Sequence, residues 1–151
     1  MKNEDAFELG ISTAASIANY VVQQRSQVGL FANTLLPDSA QPVRIPAGGG
    51  PHQLISILEV LAKVVLAPNS SIEEFLQGEQ GDLPWGATIV LIISRPSASL
   101  SELLASLSKT GHKPVVLQIG EQPDDGIDHR VAWYNIKHPS DLIELGSREV
   151  K

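Results

Sequence analysis

Residues able to do chemistry are few in this chain, and their spacing joins them in no familiar catalytic set. The histidines are His52, His112, His129 and His138. None lies four residues from another, and no glutamate stands between two of them in the zinc-binding His-Glu-x-x-His spacing. All four read as surface side chains. His112 follows Gly111, where an imidazolium favours a helix C-terminus, and His129 closes the acidic loop Asp124-Asp125-Gly126-Ile127-Asp128. Asp38, Asp124, Asp125 and Asp128 have no EF-hand register and read as solvated loop carboxylates. Cysteine is absent, which removes thiolate zinc sites, cysteine nucleophiles and disulfides. Serines occur throughout, but no Gly-x-Ser-x-Gly elbow holds one out as a nucleophile.

Two short clusters remain as candidate ligand sites. Gly48-Gly49-Gly50 precedes a helical pattern, so its amides and the helix dipole could cradle an anion. It lacks the Lys-Ser/Thr ending of a phosphate-binding loop, and the glycines read first as a flexible strand-to-helix turn. Ser94, Arg95, Ser97 and Ser99 follow an apolar strand-like run, at the strand end where open α/β sheets bind ligands. The candidates for a small anion, a nucleotide or a partner carboxylate are therefore Gly49, Gly50, Ser94, Arg95, Ser97 and Ser99. Helix capping is the competing account of the serines. No cofactor and no metal is expected.

The elements that must position these residues follow from hydrophobic period. From Ala6 to Gln24, Phe7, Ile11, Ala14, Ala18 and Val21 fall on one helix face. Small residues Ala14, Ala15 and Ala18 suit close packing on a sheet. Val28 to Asn33 reads as a strand and Pro42 to Ile45 as a weaker one ending at Pro46. Their short link makes them an antiparallel hairpin at one sheet edge. Gln53 to Leu66 carries a second helical stripe through Leu54, Ile57, Leu58, Leu61 and Val65. Ser70 with Glu73 reads as a capping box for a helix Ile72 to Gln77, and Ser99 with Glu102 as another. The second opens a helix bearing Leu100, Leu103, Leu104 and Leu107, closed by Gly111. Ala87 to Ser94, Pro114 to Ile119 and Val131 to Ile136 read as strands, the first apolar throughout as in a parallel sheet. Trp133 and Tyr134 point to opposite faces of the last strand, and an exposed aromatic would signal a protein interface. Pro139 and Ser140 start a final short helix through Leu145, stopped by Gly146. This order predicts an α/β layered domain with a mostly parallel sheet.

Composition bounds the rest. The 151 residues are 42% hydrophobic with a formal charge of −6, enough chain for one domain over residues 1–151. Negative charge without a Lys/Arg block argues against nucleic-acid backbone binding. The acidic start, Met1-Lys2-Asn3-Glu4-Asp5, has no signal-peptide pattern. The longest apolar run, Ala87 to Ile93, falls far short of the ~20 residues of a membrane helix. A soluble, cytoplasmic protein with no membrane segment in this chain is expected.

Several passages in order resemble the domain of unknown function 58 family. They are Phe7-Glu8-Leu9 with Ala14-Ala15-Ser16-Ile17-Ala18, then Val28-Gly29-Leu30, then Ile45-Pro46-Ala47-Gly48-Gly49-Gly50-Pro51-His52-Gln53-Leu54. Leu58-Glu59-Val60-Leu61-Ala62, Gly86-Ala87-Thr88-Ile89-Val90-Leu91-Ile92 and Pro114-Val115-Val116-Leu117 continue the set. The resemblance implies a Rossmann-like, von Willebrand factor A-like fold: a mostly parallel sheet, one antiparallel edge hairpin and helices on both faces. It also implies a MoxR-type AAA ATPase as partner, and longer, membrane-anchored relatives. In such domains the first strand carries an Asp-x-Ser-x-Ser metal motif, a later loop a Thr and the fourth strand an Asp. Here only five residues precede Ala6, the loop reads Pro51-His52 and the strand end reads Ser94-Arg95-Pro96. The expectation is a truncated domain lacking its central first strand and the metal site. Either Val28 to Asn33 pairs directly with Ala87 to Ser94, or open sheet edges recruit a second copy as a homodimer. The expected function is a non-catalytic protein-protein interaction module. The alternative is a small-anion or nucleotide-binding domain using Gly48–Gly50 and Ser94–Ser99.

Overall fold

The computed structural model describes residues 3–36, 41–65, 71–120, 131–138 and 140–141. In chain order the elements are α1 (Asn3–Gln23), β1 (Val28–Leu35), β2 (Pro42–Gly48), α2 (Gly50–Lys63) and α3 (Ile72–Glu79). A 3-10 turn (Gln80–Asp82), β3 (Thr88–Ile93), α4 (Leu100–Lys109), β4 (Lys113–Ile119) and β5 (Ala132–Ile136) follow. The chain divides into two compact units, one of residues 1–13 and 79–151, the other of residues 14–78.

The first unit holds a three-stranded, wholly parallel sheet in the order β3-β4-β5. Its registers run from Thr88↔Lys113 to Ile93↔Gln118 and from Val115↔Ala132 to Ile119↔Ile136. The middle strand is the most buried of the three, with Val116, Leu117, Gln118 and Ile119 all buried. The α4 stripe expected from sequence is present: Leu100, Leu103, Leu104 and Leu107 are all buried, each side chain contributing about 2–3 kcal/mol of apolar transfer. Its far end is a Schellman motif. The amide of His112 donates to Leu107 O at 3.0 Å and that of Gly111 to Ser108 O at 3.2 Å, with Gly111 at φ +88. In α1, Gly10 faces β3, where an added Cβ would stand 3.7 Å from Ile92 Cγ2. Buried Thr13 satisfies its hydroxyl inside the helix, donating to Leu9 O at 2.7 Å.

The second unit holds the hairpin. Val28 faces Gly48 and Leu30 faces Ile45, so Pro46 and Ala47 together oppose Gly29 in a bulge. That bulge lets β2 pass through Pro46 instead of ending there. Gln53 of α2 locks it, its Nε2 donating to Val28 O at 2.7 Å and to Pro46 O at 2.8 Å. Val43, Ile57, Leu61, Phe75 and Leu76 are buried, and the Arg44 guanidinium lies 5.9 Å from the Phe75 ring centroid.

Several expectations change here. Among the described residues the hairpin is a two-stranded sheet of its own, not an edge of the parallel sheet, and β1 does not pair with β3. Hairpin pairing is set locally by the short link and the bulge, whereas joining β1 to β3 needs a distant register that nothing in either strand specifies. The α3 cap is Ser71, whose Oγ accepts from the Glu74 amide at 3.1 Å. The doubled serines and glutamates of Ser70-Ser71-Ile72-Glu73-Glu74 satisfy the capping pattern in either register. Ser99 makes no side-chain cap bond to α4, because its φ −82, ψ −5 is helical where a capping serine is extended. Ser70, Pro139, Leu145 and Gly146 lie outside the described residues.

Candidate functional site

At the carboxyl end of β3 the chain leaves the sheet at Ser94, and residues 94–99 are all exposed. The amide of Leu100 donates to Ser97 O at 3.1 Å, a turn that brings the Ser97 and Ser99 hydroxyls to 2.9 Å. Arg95 and Ser97 are each engaged further within the fold. The strand end therefore presents a hydroxyl pair beside the start of a ten-residue helix, in the position the sequence indicated. Gly49 and Gly50 belong to the other unit. Gly49 is the N-cap residue of α2 with φ −122, ψ 172 and no side-chain cap bond. Gly50 has φ +86 and nothing within 4 Å of an added Cβ, so its conformation alone calls for glycine.

The histidines divide. His52 and His138 are exposed, and His129 lies outside the described residues, as do Asp38, Asp124, Asp125 and Asp128. His112 is buried, contrary to its reading as a surface side chain. The Schellman turn draws it under the end of α4, where Nδ1 lies 2.8 Å from Thr110 Oγ1 and Nε2 is buried without a hydrogen-bond partner among the described residues. Among the described residues no three His, Asp or Glu side chains gather in a metal-binding group. No helix among them is long and apolar enough to cross a membrane.

The aromatic residues separate as well. Trp133 is half-buried, and its indole N–H donates to Gln118 Oε1 at 3.0 Å. Trp85, by contrast, is 87% exposed. It occupies a turn closed by the Ala87 amide donating to Pro84 O at 3.2 Å. Gly86, at φ +78, supplies the left-handed position of a type II turn. A Cβ on Gly111 would stand 2.8 Å from Trp85 Nε1, so the indole lies against a residue that must lack a side chain. The turn presents a large, mostly apolar side chain to water. Sequence reading places aromatic residues in the core by default; the Pro-Trp-Gly spacing was the available sign that this one sits on a turn.

No family model matches the chain, and no curated protein matches it.

Proposed function

We propose that this chain is a non-catalytic protein-interaction module with a von Willebrand factor A-like architecture, acting in the cytoplasm, with Trp85 as an anchor of its binding surface. The observation that carries the reading is Trp85, 87% exposed on a closed turn. Tryptophan in protein interfaces contributes well above its share of binding energy, most of all where the free protein already holds it in place. The parallel β3-β4-β5 sheet is compatible with the architecture. The MoxR-type ATPase comes from the resemblance alone and is the first partner to try.

The competing reading is a small-anion or nucleotide site at Ser94, Arg95, Ser97 and Ser99, supported by the 2.9 Å hydroxyl pair at the strand end. Calorimetric titration with ATP, inorganic phosphate and magnesium separates the two. An interaction module gives no saturable heat with any of them. Saturable binding that Arg95→Ala abolishes would replace the proposal with the anion site.

A further inference from the structure

Two cations accompany Trp85 within the first unit. Helix α4 ends at Lys109 and β4 begins at Lys113. Midway between them is Gly111, the residue the indole lies against. The reversal there is tight, closed by the amides of Gly111 and His112 onto the last turn of α4. The two lysines therefore flank the seat of the indole, and both are exposed. Lys113 also adjoins the turn that carries Trp85: its amide donates to Ala87 O at 3.0 Å, and it stands in register with Thr88. The acid nearest Trp85 in sequence is Asp82, exposed three residues before it, and the two lysines outweigh it. This happens on a chain whose formal charge is −6.

We infer that the partner segment taken by Trp85 is an acidic stretch of protein. An apolar side chain of that segment lies on the indole, and carboxylates beside it meet Lys109 and Lys113. The inference rests on the reading of Trp85 as a protein-binding anchor and names the chemistry of what it binds. Charge complementarity carries it. Lysine ammonium groups only donate hydrogen bonds, and their strongest partners are ionised acceptors, carboxylates among them. An acidic segment is repelled by most of a −6 surface and attracted where these lysines stand. Charge thus selects the docking place and rejects basic competitors. The indole supplies most of the affinity, while the lysines at its rim set encounter rate and register. Two cations are too few for a phosphate backbone, whose binding grows with the number of phosphates neutralised.

Selection of random phage-displayed peptides on the immobilised full chain tests it. Selected peptides are then titrated by fluorescence polarisation against wild type, Trp85→Ala and the double variant Lys109→Glu, Lys113→Glu, with circular dichroism confirming that each is folded. The expected binders carry acids around an apolar residue and lose their affinity in Trp85→Ala. The double variant binds them about tenfold more weakly, and added salt weakens binding to wild type more than to the double variant. Binders that need Trp85 but show no excess of acids, or that the double variant takes as tightly, would overturn the inference and leave the Trp85 anchor standing. Peptides bound without regard to Trp85, or no peptide bound at all, would remove the anchor and the inference with it. Trp85-dependent binding of oligo-dT or of phosphatidylserine vesicles in place of peptides would assign the patch to another class of partner and overturn the inference as well.

Discussion

At the scale of single residues, backbone conformation decides more than side-chain type. Arg25 ends α1 at φ 61, with its amide donating to Val22 O at 2.9 Å and that of Ser26 to Val21 O at 3.1 Å. This is the same Schellman geometry that Gly111 closes on α4, but built on a residue whose Cβ opposes it. Arg25→Gly is expected to stabilise the protein by about 0.5–1 kcal/mol, read as a higher urea midpoint with an unchanged slope. Asp141 supplies a second case. Its carboxylate accepts from the amides of Lys137 at 2.8 Å and His138 at 3.0 Å, and these two bonds hold its pKa below the ordinary 3.8. A carboxylate with a lowered folded pKa stabilises at pH above its unfolded value, and that contribution disappears as the pH falls through the folded pKa. Asp141→Asn should therefore lower stability near neutral pH and leave it unchanged below the folded pKa, which denaturant melts across the acid range will show. Neither residue was legible as special in the sequence. An arginine carries no sign of a left-handed φ, and a lone Asp after Pro-Ser reads as a helix-start residue rather than one reaching back to two amides.

At the scale of elements, the legible features were those fixed by local periodicity. The leucine stripe of α4, the glycine after it and the apolar runs of β3 and β4 all lie where hydrophobic spacing puts them, but β3, read as a strand buried on both faces, buries only Leu91 and Ile93 and leaves Val90 exposed. Pairing between distant segments was not legible. The hairpin was foreseen, but its existence as a separate sheet was not, and neither was the bulge that carries β2 through Pro46. Gln53, which locks that bulge with two donated hydrogen bonds, carries no mark of that role in the sequence, where a glutamine in a helical stripe reads as a solvent residue. Gly29 is the point where the hairpin is least tolerant. A Cβ there would stand 2.5 Å from Ile45 O and 2.9 Å from Ala47 N, both backbone atoms that cannot swing aside. Gly29→Ala is expected to destabilise the protein by about 1–3 kcal/mol, with faster exchange of hairpin amides than of those in β3 and β4. Unchanged hairpin protection would mean that the bulge is looser than the geometry implies.

At the scale of the whole molecule, the candidate site named from the sequence and the surface the structure brings forward are different places. Ser97 and Ser99, singled out because open α/β sheets bind ligands at strand ends, lie just past β3 with their hydroxyls 2.9 Å apart. Gly49 and Gly50 stand in the other compact unit. Trp85 was legible only as an aromatic residue beside a glycine; its exposure follows from the turn and from Gly111 beneath it, a contact between segments 26 residues apart. The central claim is that this tryptophan anchors a protein partner. Its most direct test is calorimetric titration of the wild-type chain and of Trp85→Ala with a purified MoxR-type ATPase, with circular dichroism confirming that the variant is folded. Saturable binding by wild type, weakened by about 2 kcal/mol or more in the variant, is the predicted result. Equal binding by both proteins, or none by either, would contradict the account.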